Sequence, residues 1–158
     1  MFVGEYTRKL DDKGRFAVPT SLREPFSLSE GGDARRAMLV KAQRELCLWL
    51  LPVSYWHALL DFQRQRLSER ESRLFMHHVA YDVAEIEMDR ANRLLIPRRL
   101  REHIGASDNL VLVGRYDYLE VWGSQAWSSH VAALEAEHEM TLSEVLRMPS
   151  LRPALSDA

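Results

Sequence analysis

The sequence has few of the residues that build disulfide-rich or loop-rich proteins: one cysteine, seven glycines and six prolines among 158 residues. Cys47 cannot form an internal disulfide and has no second cysteine with which to build a zinc site. It lies in the apolar run LCLWLL, which favours a core position. Apolar runs stay well short of the roughly 20 residues that span a bilayer. The charged N-terminus, MFVGEYTRKLDDKGR, lacks the apolar region of a signal peptide. We expect a cytoplasmic protein with no membrane partner.

Lysine is also scarce, with three lysines among 21 basic residues, and the net charge of −2 argues against a nucleic-acid-binding protein. The distribution of charge argues the other way. Basic residues cluster at 8–23 and 90–101, whereas acidic residues gather in the segment LEAEHEMTLSE. A basic face opposed by an acidic tail would still bind phosphate. Base composition of the source genome is an alternative explanation for the excess of arginine, but it does not explain the clusters.

Sequence motifs of common enzymes are missing. There is no G-x-S-x-G elbow, P-loop, H-E-x-x-H motif or glycine-rich dinucleotide fingerprint. His77 and His78 are adjacent, so on a helix they point about 100° apart and cannot hold one ion together. We predict no enzyme, no metal site and no small-molecule cofactor.

The two basic clusters are copies of one sequence. At an offset of 78 residues, DDKGR at 11–15 aligns with DRANR at 89–93, and the register continues without a gap from Pro19 over Pro97 to LRE over LRE. Six of the fourteen aligned positions are identical. Two copies of this length indicate a duplicated module and not a solenoid.

Each copy predicts a strand, a tight turn and a second strand. Apolar residues alternate before the turn, as at Ala84, Ile86 and Met88. Asp11 and Asp89 suit the start of the turn, because an aspartate can accept bonds from backbone amides two residues on. Gly14 and Asn92 occupy the position that needs a positive φ. Pro19 or Pro97 should end the second strand, and a short helix should follow, with Thr20 as a candidate N-cap in the first copy.

The remaining pattern completes an α+β fold, mainly β with helices. Two further strands are predicted in each copy, at 38–41 and 46–51 and at 110–113 and 118–122. Apolar residues at helical spacing between 54 and 78 predict one kinked helix or two helices, and a C-terminal helix carries Trp127, Val131, Leu134 and Leu142. We predict module 1 at 5–52, a helical connector at 53–80, module 2 at 81–125, and a C-terminal helix with a frayed tail at 126–158.

The duplicated turn and its surroundings resemble the MraZ family. The resemblance covers nearly the whole chain, through MFVGEYTRKLDDKGR, SRLFMHHVAYDVAEIEMD and LVLVGRYDYLEVW. It implies two tandem modules of the SpoVT/AbrB type, whose swapped hairpins interleave into one pseudo-twofold β-barrel. It further implies a homo-oligomeric ring that binds direct repeats in double-stranded promoter DNA and represses the division and cell-wall gene cluster, at the nucleoid. Asn92 departs from the glycine that the family commonly has there.

The candidate DNA-binding residues are those of the two turns and of the strand before the first one. Arg15 and Arg93 begin a strand, where a fixed guanidinium fork can reach O6 and N7 of guanine. Lys13 and Arg90 lie in the turns and suit phosphate contacts. The full set is Arg8, Lys9, Asp11, Lys13, Gly14, Arg15, Asp89, Arg90, Asn92 and Arg93.

Two alternatives remain at this point. Arg15 and Arg93 could pair with Asp11 and Asp89 to lock the turns without touching DNA. The chain could also be an antitoxin-like interaction module that uses an AbrB-type fold mainly for protein contacts. Arg23 and Arg101 are interpreted as helix-surface residues, with no bond to the adjacent Glu24 or Glu102, because neighbouring residues diverge on a helix.

Overall fold

A computed structural model describes residues 1–27 and 35–136 of the chain. The chain divides into two compact units, residues 1–127 and 128–158, and the first contains every strand among the described residues. The strands are β1 Glu5–Lys9, β2 Arg15–Ala17, β3 Arg36–Lys41, β4 Cys47–Pro52, β5 Val83–Glu87, β6 Arg93–Leu95, β7 Asn109–Gly114 and β8 Leu119–Gly123. The helices are α1 Glu24–Ser27, α2 Val53–Arg64, α3 Glu69–Asp82, α4 Arg98–His103 and α5 Ser124–Ala136. The α+β class is confirmed.

The six longer strands form one antiparallel sheet in the order β1-β7-β8-β4-β3-β5, and β2 pairs with β6 in a separate two-stranded ribbon. In this sheet, each strand of the first copy has a counterpart in the second: β1 and β5, β3 and β7, and β4 and β8. If every strand is replaced by its counterpart, the same order is obtained in reverse. The first strand of each copy therefore pairs with the third strand of the other. The strand order follows the pseudo-twofold symmetry expected for swapped hairpins. Closure into a barrel stays a prediction.

One hydrophobic core is built from both copies. Phe16 and Leu94 face each other across the ribbon and are almost completely buried, together with Val18 and Ile96. Full burial of such a side chain stabilises the fold by about 1.5–3 kcal/mol. Since neither copy fills this core alone, the ribbon is fixed to the sheet by residues of both.

The starts of two helical segments can be compared with the local sequence. Ser68 caps α3 in a capping box with Glu71, in which each side chain bonds the other residue's backbone amide. Thr20 is not an N-cap, which corrects the sequence interpretation. Pro19, with φ −55° and ψ 140°, precedes a 3-10 helix that starts at Thr20, so the proline sets the start of this helix without a side-chain cap. Leu142 and the tail after it lie outside the described residues, and no described helix is long and apolar enough to cross a membrane.

Candidate functional site

The two turns have the same backbone bonds. The amide of Gly14 donates to the carbonyl of Asp11 at 3.1 Å, and the amide of Asn92 donates to the carbonyl of Asp89 at 3.0 Å. Each turn also bonds to the other copy. The carbonyl of Gly14 accepts from the amide of Ile96, and that of Asn92 accepts from the amide of Val18, both at 2.9 Å. The turns and the ribbon therefore form one unit.

An aspartate organises each turn. Oδ1 of Asp11 accepts bonds from the backbone amides of Lys13 and Arg15 at 3.0 and 2.8 Å, and its Oδ2 accepts from Nε of Arg15 at 2.9 Å. Asp89 repeats this arrangement with Ala91 and Arg93, each bond being 2.9 Å. The amide bonds from Arg15 and Arg93, assisted by their guanidinium groups, lower the pKa of Asp11 and of Asp89. The predicted role of the two aspartates at the turn starts is confirmed.

The pairing of each arginine with its aspartate, which the sequence left as an alternative, is therefore present in the structure. It does not withdraw the arginines from solvent: the side chains of Arg15 and Arg93 are 28% and 38% exposed. Only one guanidinium nitrogen of each arginine is used in its 2.9 Å bond, and an arginine has five N–H donors. The aspartate thus orients the guanidinium group and leaves N–H donors of that group for another partner.

Both arginines lie on the outer face of the ribbon. In the register of β2 and β6, Arg15 is opposite Leu95 and Arg93 is opposite Ala17. Successive side chains of a strand point to opposite faces, so the buried pair Phe16 and Leu94 places these four residues outward. Ala17 and Leu95 are exposed. The outer face of the ribbon is small and is flanked by two guanidinium groups.

The turn residues Gly14 and Asn92 have φ values of +84° and +58°, as predicted for both. Gly14 is also crowded. A Cβ atom at this position would lie 2.5–2.7 Å from the guanidinium atoms of Arg101, so a side chain would have to displace that group. Position 14 is therefore restricted by its backbone and by a neighbour from the second copy.

Arg23 and Arg101, which are 78 positions apart, differ from the helix-surface interpretation. Nε of Arg23 donates to the carbonyl of Val18 at 3.0 Å, whereas Nε of Arg101 is buried and has no hydrogen-bond partner among the described residues. Both residues are partly buried. The helix-surface interpretation was wrong for Arg101 because the helix that carries it packs beside the turn of the other copy. Arg23 lies between the 3-10 helix and α1. Glu102 instead pairs with Arg98, one helical turn away, at 2.9 Å.

The remaining predicted residues fall into two groups. Lys13 and Arg90 are exposed in the turns. Arg8 and Lys9 lie on β1, before the first turn, where Nη1 of Arg8 donates to the carbonyl of Thr7 and its guanidinium lies 5.9 Å from the Tyr6 ring. The structure brings the two turns and the ribbon together, and Arg8 lies beside them on β1 with these contacts along its own strand.

Comparison with known proteins connects this arrangement to a family. A family model described as "MraZ protein, putative antitoxin-like" matches residues 1–78 and 81–146. The chain belongs to the MraZ family. A protein of Idiomarina loihiensis named "Transcriptional regulator MraZ" is 36% identical over 160 residues, covering 96% of this chain and 100% of that protein. One of the same name from Thermomicrobium roseum is 31% identical over 138 residues, covering 87% of this chain and 92% of that protein.

Sequence patterns of this MraZ-family chain did not single out Arg35. It lies directly before β3, outside the duplicated motif, and its Nη1 donates to the carbonyl of Asp89 at 2.8 Å. The two residues are far apart in sequence, so no local signal predicts the contact. The exposure of Leu95 on the ribbon was also missed, although the alternation around Leu94 could have revealed it.

One described cluster of this MraZ-family chain has the residue types of a metal site: Glu45, Cys47 and Glu120, whose candidate ligand atoms lie within 4.8 Å of one another. Its buried carboxylate already has hydrogen-bond partners. Burial, together with the two carboxylates, raises the pKa of Cys47 to about 12. Both oxygens of Glu120 accept 2.9 Å bonds, from Nε of Arg115 and from Nε1 of Trp122. Glu120 is therefore a buried carboxylate whose charge is balanced by the partly exposed guanidinium of Arg115.

Proposed function

We propose that this chain is a transcriptional regulator that binds double-stranded DNA with the β2-β6 ribbon and its two turns. The observation that carries the proposal is the position of Arg15 and Arg93 on one outward face, each oriented by an aspartate. The major groove of B-DNA admits a two-stranded ribbon. Arginine held in one orientation can donate two bonds to a guanine edge, which contributes about 1–3 kcal/mol of discrimination against another base.

Contacts to the DNA backbone come from the exposed basic residues around this face. Lys13 and Arg90 are exposed in the turns, and Lys9 is exposed at the end of β1. These side chains need only bring positive charge to a phosphate, so they fix the position of the protein without reading sequence. Backbone amides of the turns are bonded to Asp11 and Asp89, so the side chains supply most of this interaction.

Membership of the family and the small size of the face support a wider proposal. One ribbon offers few contacts, so we propose a homo-oligomer, in the form of a ring, that binds several promoter direct repeats at once and gains affinity through avidity. Its targets would be its own gene and the division and cell-wall gene cluster, which it would repress, acting in the cytoplasm at the nucleoid. A monomeric mass by light scattering at micromolar concentration would contradict the oligomer.

A second candidate is an antitoxin-like module whose main partner is a protein. The matching family is described as antitoxin-like, which supports this candidate. The two candidates differ in what the duplicated turn must do. A protein-interaction module has no need for an oriented, outward arginine in both copies, whereas a protein that binds repeated DNA does.

A gel shift tests the proposal. The probe is the duplex DNA upstream of the chain's own gene, the control is a scrambled duplex of equal length and composition, and both are measured at two salt concentrations. We expect preferential binding of the upstream duplex and weaker binding at higher salt. Equal affinity for the two duplexes, or binding unaffected by salt, would refute DNA recognition and favour the interaction module.

A further inference from the structure

The two turns have the same pattern of hydrogen bonds but differ in formal charge. Residues 11–15 hold two carboxylates and two basic groups, so their formal charges cancel. Residues 89–93 hold one carboxylate and two guanidinium groups, which leaves one positive charge. Because the bonding geometry is nearly the same, this difference changes the electrostatic potential at the turns and not their shape.

Residues beside the turns act in both directions. Lys9 and Glu87 correspond at the offset of 78 and are both exposed, so the strand before the first turn is the more basic one. Two backbone neighbours of the turns have the opposite effect. The amide of Met88, just before the second turn, donates to the carbonyl of Arg35 at 2.6 Å. The amide of Leu10, which corresponds to Met88 at the offset of 78, donates to the carbonyl of Asp108 at 2.8 Å. Arg35 and Asp108 thus occupy corresponding backbone positions with opposite formal charges.

The side chain of Arg35 extends over the second turn. Its Nη1 lies 2.8 Å from the carbonyl oxygen of Asp89 and 3.5 Å from that of Met88, and the residue is exposed. Backbone carbonyls carry no formal charge, so these contacts hold the guanidinium beside the turn without neutralising it. An arginine in this position brings a further positive charge to the surface that already has Arg90 and Arg93.

From this arrangement we infer that Arg35 is a DNA phosphate contact, which supplies beside the second turn the positive charge that Lys9 supplies beside the first. The inference rests on the proposed DNA binding. Each phosphate neutralised by a basic side chain releases counterions, so Arg35 should contribute to the salt dependence of binding. Asp108 beside the first turn lowers the attraction for phosphate there.

The test compares Arg35→Gln with wild type on the upstream and scrambled duplexes over a series of salt concentrations. Glutamine keeps an N–H donor for the carbonyl of Asp89 but removes the charge. We expect affinity for both duplexes to fall by the same factor and the slope of log affinity against log salt to become shallower by about 0.9 for each engaged copy. Arg35→Lys should retain the wild-type slope, and Asp108→Asn should raise affinity for both duplexes.

A matched control separates the possible outcomes. Arg70→Gln removes the same charge from an exposed position on α3 and should leave the slope unchanged. A wild-type slope for Arg35→Gln would overturn the inference. Failure of the wild-type protein to bind the upstream duplex preferentially would instead refute the proposed function.

Discussion

Nη1 of Arg93 lies 3.9 Å from Oδ2 of Asp11, although the two residues belong to different copies of the duplicated sequence. The same Oδ2 is 2.9 Å from Nε of Arg15. The carboxylate of Asp11 therefore contacts both arginines on the outer face of the ribbon. Its contact with Arg93 couples the two turns. Asp89 occupies the matching position beside Arg93.

Replacing the shared carboxylate should have a larger effect than replacing its counterpart. We expect Asp11→Asn to reduce the ratio of upstream to scrambled duplex affinity more than Asp89→Asn does, because Asp11 orients two arginines. Affinity for the scrambled duplex should rise in both variants, since a negative charge is lost. Asp12→Asn is the matched control: it removes the same charge at an exposed neighbouring position. Equal ratios for Asp11→Asn and Asp12→Asn would contradict the orienting role.

Removal of an arginine should abolish sequence preference. We expect Arg15→Ala, and separately Arg93→Ala, to bind both duplexes with similar affinity, whereas Lys13→Ala weakens binding to both duplexes alike. Because each arginine is partly buried and bonded to an aspartate, its loss should lower the thermal midpoint slightly. Competition binding and thermal melting measure the two effects. Retained preference in either variant would make that arginine purely structural.

Gly14 should be harder to replace than Asn92. A β-branched residue at the φ of Gly14 costs about 1–2 kcal/mol and would displace the guanidinium of Arg101. We expect Gly14→Val to lose DNA binding and Asn92→Gly to keep it. Gly105→Val is the control, because Gly105 has a φ of +59° with open space around it. It should lose similar stability and still bind DNA. Normal binding by Gly14→Val would show that the turn does not face DNA.

The turn aspartates should make the free energy of unfolding depend on pH only at acidic pH. Their pKa values are lowered from 3.8 in the folded chain, mainly by amide bonds from Arg15 and Arg93. Their stabilising bonds are therefore complete above the unfolded pKa and are lost as the pH falls through the lower folded value. Carboxyl titration by NMR should give midpoints below 3.8 for both aspartates. A midpoint at or above that value would show that these bonds do not form in solution.

Much of each turn could be predicted from the sequence because its interactions span five residues or fewer. The aspartate at the turn start, the positive φ at Gly14 and Asn92, and the strand that follows are all set by local backbone chemistry. The prediction for Thr20 failed because a local preference for a cap residue was outweighed by the fixed backbone of Pro19.

The sequence by itself determined the duplication, the local form of each turn and the α+β class, since these depend on residues close together in the chain. Only the tertiary structure decided which strands exchange, that β2 and β6 place Arg15 and Arg93 on one face, and that Arg101 lies against Gly14. The contacts of Asp11 with Arg93 and of Arg35 with Asp89 belong to the same group. Such contacts join residues more than fifty positions apart, so no short sequence window encodes them, and they form only when both copies bury a common core.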